Sequence, residues 1–353
     1  MKIYEERRLK LTENLSGDIA VIIPGSVLAN RSNDTAYPFR QDSNFYYLSG
    51  FNEPDSTLMI INKSGKTNSI GFVPKKDKLK EIWDGFRHGP EGMKSDFGFN
   101  DAFNNDEIDE LLPDLLDGVS CVYYPFGKVE GFDQKVIKWT KKANSKDRHS
   151  KKMEIADISK IIGNKRLIKD SSEINIIEKA CKISANAHLE AMKFVKPGMN
   201  EAEVEAFYLY EFAKNGGRFP AYNPIVASGE NACVLHYVEN NQVINDGDLL
   251  LVDAGCEYEM YASDITRTFP ANGKFSDEQL QIYNIVLEAQ KASVDAVSKG
   301  NGVMDPQTIS EKVITEGLID LGIIKGNLEE EHEKGSFKDC LLYTSDAADD
   351  VVR

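Results

Sequence analysis

The chain has 353 residues, 41% of them hydrophobic and 28% charged, and a formal net charge of −15. That length is long enough for two cores, and no apolar run reaches the roughly 18–20 residues of a membrane-spanning helix. The acidic balance excludes the clustered lysines and arginines that a nucleic-acid backbone requires, so neither nucleic acid nor membrane is an expected partner.

Residues 1–15 are charged and lack the apolar stretch of an export signal, so a cytoplasmic protein is expected. The five cysteines, at 121, 181, 233, 256 and 340, form no CxxC pair. They read as reduced thiols, most of them small core residues, and a zinc ribbon is excluded.

Up to about residue 165, short strands and helices alternate. The runs 20–23, 58–61 and 121–124 read as buried strands. Between the first two lies an aromatic stretch, YPFRQDSNFYYLSGFNEP, at 37–54. Residues 141–153 are polar and basic without hydrophobic period, which predicts a linker. The fold class is therefore an α/β domain over 1–165 followed by an α+β domain over 166–340.

The second region opens on a capping box, Asp170 with Glu173. Ile174, Ile177, Cys181, Ser184 and His188 then recur at helical spacing, and Pro197-Gly198 stops the helix. Asn200 and Glu203 cap a second helix with Val204, Phe207, Tyr208 and Phe212 as its apolar stripe. Strands are expected at 225–227, 233–237, 249–253 and 265–269. A third helix starts at Ser276, with Gln279 as box partner and Phe275 and Leu280 as a hydrophobic staple.

Residues 222–270 carry the chemistry. LLLVDAG, 249–255, is a buried strand ending in the carboxylate of Asp253, and Asp264 follows eleven residues later inside YASDITRT. A charge at the end of an apolar strand is costly unless paired or bound to a cation. Two strands joined by a turn would bring both carboxylates to one face, where a divalent cation would relieve their repulsion. The bland alternative is that Asp253 caps a turn and Asp264 pairs with Arg267. His236, in an expected strand, is either a hydrogen-bonded core residue or a neutral imidazole lining the site. Tyr222 and Tyr237 either line a pocket or belong to an aromatic core.

The segments FPAYNPIVASGENACVLHY (219–237), DGDLLLVDAGCEY (246–258) and YASDITRTFP (261–270) resemble the pita-bread metallopeptidases. RSND (31–34) and the 37–54 stretch resemble the N-terminal domain of the Xaa-Pro aminopeptidase branch. The resemblance implies a metalloaminopeptidase that releases the N-terminal residue from peptides with proline second. It implies two divalent metal ions, manganese for preference, with Asp253 binding one and Asp264 bridging both. A histidine and two glutamates would complete the ligands. His236 matches a substrate-contacting histidine, Tyr222 would line the substrate pocket, and a homo-oligomer is implied.

The chain departs from that pattern in one respect. No HGxxH-like segment or later Glu-Pro-Gly occurs, and the single histidine after Asp264 is His332. Its acidic run, 329–334, is expected to be a solvated helix or loop. The tail, 341–353, does not resemble the family and looks like translated adapter read-through, so the sequence reads as an inactive, truncated fragment. The alternatives are a prolidase acting on Xaa-Pro dipeptides, or a non-catalytic pita-bread module that binds a peptide or protein.

Overall fold

A computed structural model describes residues 2–145 and 152–340. The chain divides into two compact units between Lys169 and Asp170.

In the first unit, β1 (Ile19–Pro24), β4 (Thr57–Lys63), β5 (Lys66–Val73), β6 (Asp101–Asn104), β7 (Cys121–Tyr124) and β8 (Glu154–Asp157) form one mixed sheet in the order β6-β5-β4-β1-β7-β8. A separate ribbon pairs β2 (Asn30–Ser32) with β3 (Thr35–Ala36). β1 runs antiparallel to β4 and parallel to β7, and all six of its residues are buried. A strand covered on both faces has no reason to alternate polar with apolar, which is why IAVIIP is continuous.

Ile19, Val21 and Ile23 face one core, which α1 (Lys2–Thr12), α2 (Ser43–Ser49), α4 (Gly89–Phe97) and α7 (Ser159–Leu167) supply with Leu11, Phe45, Leu48, Met93 and Ile162. Ala20 and Ile22 face the other, where α5 (Ile108–Leu115) and α6 (Phe132–Asn144) bring Leu112, Val136 and Trp139. α3 (Lys78–Asp84) is different, because none of its residues is buried.

The linker expected at 141–153 is corrected over its first four residues. Its first residues, 141–144, continue α6, whose Val136, Trp139, Thr140 and Ala143 are buried; 146–151 lie outside the described residues, and β8 forms the sheet's edge beside β7. Lys141 and Lys142 occupy the solvent face of that amphipathic helix, where a polar run does not mean an irregular one.

In the second unit, α8 (Ser171–Phe194) and α9 (Glu201–Lys214) each begin with a complete capping box, on Asp170 and Asn200. The buried face of α8 is Ala180, Ile183, Ser184, Ala187, His188 and Ala191, whereas Ile174 and Cys181 of the expected stripe are exposed. Small residues win that face because the helix lies close on the strands. The cysteines also differ from expectation, since Cys181 and Cys233 are exposed and Cys256 is buried.

α8 and α9 pack on an antiparallel sheet of β10 (Ile225–Ser228), β11 (Leu249–Asp253) and β14 (Thr266–Pro270). A second small sheet holds β9 (Phe219–Pro220), β12 (Cys256–Tyr258) and β13 (Tyr261–Ala262). The expected strand at 233–237 is instead the end of a 3₁₀ helix, Gly229–Cys233, followed by a turn with Val234, Leu235 and His236 exposed.

Beyond Ser276, α10 (Asp277–Ala296) and α11 (Asp305–Asp320) pair, and α12 (Leu328–Lys334) and α13 (Phe337–Cys340) close a small cluster with Leu318, Ile324 and Phe337. Phe275 rests on Tyr283, ring centroids 4.7 Å apart. The run 329–334 is helical but not wholly solvated: Glu331 is buried, and the His332 ring lies over Phe337 with Nε2 3.6 Å from Glu311. The tail at 341–353 lies outside the described residues.

Candidate metal centre

β11 ends at Asp253, which pairs in register with Thr266 of β14. The chain then passes Gly255, makes the β12–β13 hairpin around Glu259 and Met260, and returns through Ser263 to Asp264 just before β14. Glu259 and Met260 both have positive φ, 47° and 70°. That is the handedness a two-residue hairpin loop needs, adopted here without glycine or asparagine.

The two arms touch along their backbones. A Cβ built on Gly255 would overlap the carbonyl oxygen of Ser263 and lie 3.1 Å from the nitrogen of Asp264. Gly255 is thus required by close approach and not by handedness. Its own carbonyl accepts from the N–H of Ala221 at 2.8 Å, which fixes the start of the segment carrying Tyr222.

The Tyr222 hydroxyl lies 2.5 Å from Asp253 Oδ1 and 3.0 Å from Asp264 Oδ1. One phenol is therefore shared by the two carboxylates predicted as ligands, Asp253 buried and Asp264 exposed. Burial, and then the hydrogen bond and charge of Asp253 followed by Asp264, hold this phenol far above its usual pKa, so it stays protonated. Two carboxylate oxygens from different arms converge on one hydroxyl group, and hard oxygen donors so placed suit a divalent cation. Among the described residues no group of three or more His, Cys, Asp and Glu side chains is placed to hold a metal ion. The Arg267 guanidinium donates to the Thr266 carbonyl at 2.7 Å.

His236 sits on the exposed turn after the 3₁₀ helix, flanked by exposed Val234, Leu235 and Val238. Tyr237 is buried and belongs to a cluster around Glu201. Both oxygens of that carboxylate are used: Oε1 accepts from Ser228 N, Ser228 Oγ and Asn231 Nδ2 at 2.8, 2.7 and 3.0 Å, and Oε2 from Tyr237 Oη and Gln242 N at 2.8 and 3.0 Å. Burial pushes Glu201 up, but these donors together bring it below its ordinary value.

Sequence reasoning missed Glu201 as the organiser of 228–242. It also missed a polar group under the two arms. Ser184 Oγ is 2.8 Å from Ser263 Oγ, and both accept from Cys256 N, at 3.0 and 3.1 Å. His188 Nε2 is 3.2 Å from the Ala254 carbonyl, and Tyr208 Oη is 2.8 Å from His188 Nδ1. A carbonyl only accepts, so Nε2 carries the proton and Nδ1 accepts from the tyrosine. The available signal was two polar residues, at 184 and 188, on a helix face otherwise of alanine and isoleucine.

Burial lowers His188 to about 4, against the Ala254 carbonyl, with Arg267 adding to the lowering and Ile265 opposing it. The unfolded chain therefore takes up this proton first, near 6.5. Stability from this group is full above that pH and falls as pH drops toward about 4, by ~3 kcal/mol. Urea unfolding at pH 7 and pH 4 measures it. A His188→Leu variant with the same acid loss as the parent would assign the loss to other groups.

The chain matches two family models, "Aminopeptidase P, N-terminal domain" over residues 4–123 and "Metallopeptidase family M24" over 175–339. It is 38% identical to the Xaa-Pro aminopeptidase of Haemophilus influenzae, spanning 96% of this chain and 77% of that protein. Among solved structures it is similar to the Pseudomonas aeruginosa aminopeptidase PepP, with TM-score 0.92 and 38% identity over 95% of this chain and 76% of that one. It is also similar to zinc-substituted Escherichia coli aminopeptidase P in complex with product, with TM-score 0.93 and 37% identity over 96% and 78%. The second unit thus carries the pita-bread fold, and the chain belongs to the Xaa-Pro aminopeptidase family of metallopeptidases.

Proposed function

We propose that the protein releases the N-terminal residue from peptides with proline in second position, with Asp253 and Asp264 as metal ligands. The observation that carries this reading is the single phenol shared by those two carboxylates inside the family's own segments. A bound divalent pair, manganese by preference, supplies Lewis-acid polarisation of the scissile carbonyl and an activated water.

The remaining roles belong to this chain's own groups. Asp253 and Asp264 present oxygens from two arms held in register. Tyr222 keeps its proton and steadies both carboxylates. The exposed imidazole of His236 hydrogen-bonds a substrate carbonyl, while Val234, Leu235 and Val238 give apolar surface for the substrate to cover. A dedicated site suits the substrate, because a prolyl amide has no N–H and a fixed φ.

Exposed free thiols at Cys181 and Cys233 accord with a reducing, cytoplasmic compartment. No helix among the described residues is long and apolar enough to cross a membrane. α3 exposes Leu79, Ile82 and Trp83, the last at 86%, and Phe86 lies beyond it. That apolar strip supports a homo-oligomer.

The test is release of arginine from Arg-Pro-Pro with added Mn²⁺, by a chain that spans the full length of the Haemophilus influenzae relative, 77% of which is matched here. Asp253→Asn should lower the rate by more than ~100-fold, since losing only an outer partner of a metal ligand costs about 10–100-fold. Faster cleavage of Ala-Pro than of Arg-Pro-Pro would favour a prolidase, and no metal-dependent cleavage of either would favour a binding module. The 353 residues alone are expected to bind Mn²⁺ weakly and to release no arginine, because among the described residues no third His, Cys, Asp or Glu joins these two carboxylates, which cannot by themselves fix a metal pair and its water.

A further inference from the structure

We propose that Ser184 and His188 of α8 are positioning residues that set the separation of the Asp253 and Asp264 carboxylates. The inference rests on the reading of those aspartates as metal ligands.

The two side chains stand at i and i+4, hence on one helix face, and they are 0% and 2% exposed. Each reaches the residue next to one ligand. His188 Nε2–H donates to the carbonyl of Ala254, which follows Asp253. Ser184 Oγ meets Ser263 Oγ, which precedes Asp264. The same Ser184 hydroxyl accepts from Cys256 N, so it holds the outgoing arm as well as the returning one. Ser263 Oγ donates to the Cys256 carbonyl at 3.0 Å, and Ala254 N donates to the Ile265 carbonyl at 3.2 Å. The arms are cross-linked to each other, and to the helix through Ala254, Cys256 and Ser263.

The imidazole is itself constrained. Tyr208 of α9 donates to Nδ1, and the rings meet edge to face, centroids 4.9 Å apart. This fixes the tautomer, so the N–H always points at Ala254. Helix α8 is anchored again upstream, where Tyr261 Oη donates to Glu173 Oε1 at 2.7 Å. A rigid 24-residue helix is thereby tied to both sides of the β12–β13 hairpin. A partner one step behind a metal ligand typically changes metal affinity by about 10–100-fold when removed.

The experiment titrates the 353-residue chain with Mn²⁺ alone, following the electron paramagnetic resonance of the free ion, with urea unfolding measured in parallel. His188→Leu is expected to stay folded and to weaken Mn²⁺ binding about ten-fold. Ser184→Ala should weaken it in the same direction. His188→Gln, which keeps an N–H toward Ala254, should recover most of the affinity. A purely packing role would lower the unfolding midpoint of His188→Leu and leave the Mn²⁺ affinity of the folded protein unchanged.

Parent-like affinity in folded His188→Leu and Ser184→Ala, beside lost binding in Asp253→Asn, would overturn the positioning role alone. Parent-like affinity in Asp253→Asn would overturn the ligand reading, and the positioning role with it. Should His188→Leu fail to fold, Ser184→Ala and Tyr208→Phe decide the matter on the same criterion.

Discussion

Replacing Gly255 with alanine is expected to destabilise the second unit by about 3 kcal/mol or more and to abolish the metal site. The added methyl has nowhere to go. It would overlap the Ser263 carbonyl oxygen, with the Ser263 carbonyl carbon and the Asp264 nitrogen next behind, so backbone must move and not merely a flexible side chain. The movement separates the arms that carry Asp253 and Asp264, and with them the oxygens that now share Tyr222. It also pulls on the Gly255 carbonyl that holds Ala221. Stability and site geometry should therefore fail together. Gly163→Ala in α7 is the control, because its Cβ would meet open space. Urea unfolding and Mn²⁺ titration of both variants measure the effect; a Gly255→Ala protein as stable as Gly163→Ala would refute the argument from close approach.

The second large effect is expected at Glu201. Its side chain is fully buried, and it accepts five hydrogen bonds, two from backbone N–H groups and three from side chains. Truncation to alanine removes one charged acceptor and strands five donors in the interior. Breaking a buried charged network from one side costs roughly 3–5 kcal/mol. The loss should be local first. Residues 228–242 have no strand of their own beyond β10 and are gathered largely by this carboxylate, so hydrogen exchange there should rise before the β11–β14 pairing is affected. His236 rides on that segment, so the Michaelis constant for Arg-Pro-Pro should rise more than the turnover number falls. The sign of the pH effect follows from the lowered carboxyl. Its contribution is present above the unfolded carboxylate range and disappears as pH falls through the folded value. Unchanged exchange across 228–242 in Glu201→Ala would show that other contacts hold the loop.

What was legible in the sequence was local chemistry with few alternatives. The boxes at Asp170, Asn200 and Ser276 formed as read, because a capping side chain and its partner three residues on need no distant contact. Asp253 and Asp264 were legible because a carboxylate closing an apolar strand demands a partner, and the structure brings both to one phenol. The failures were all tertiary. VLHY looked like a strand because its apolar residues are contiguous, yet Glu201, thirty positions earlier, draws Asn231, Tyr237 and Gln242 into a compact loop and turns Val234 and Leu235 outward. The Glu259–Met260 turn gave no signal, since neither residue favours positive φ alone and the strand pairing imposes it. Ser184 and His188 passed as ordinary helix positions because the groups they hold lie more than sixty residues away.

Strand β1 also fixes an order of events during synthesis. Ile19 pairs with Asn62 on one side and with Cys121 on the other. The first pairing becomes possible once β4 has left the ribosome, whereas the second waits for about sixty more residues. At ordinary elongation rates that interval lasts roughly 3–12 s. Throughout it, a strand apolar on both faces carries an open edge, and Ala20 and Ile22 lack the cover that α6 later brings with Val136 and Trp139. An open apolar edge of that kind is a template for pairing with another chain, so the growing polypeptide is at its most chaperone-dependent between β4 and β7, well before any residue of the metal centre has been made.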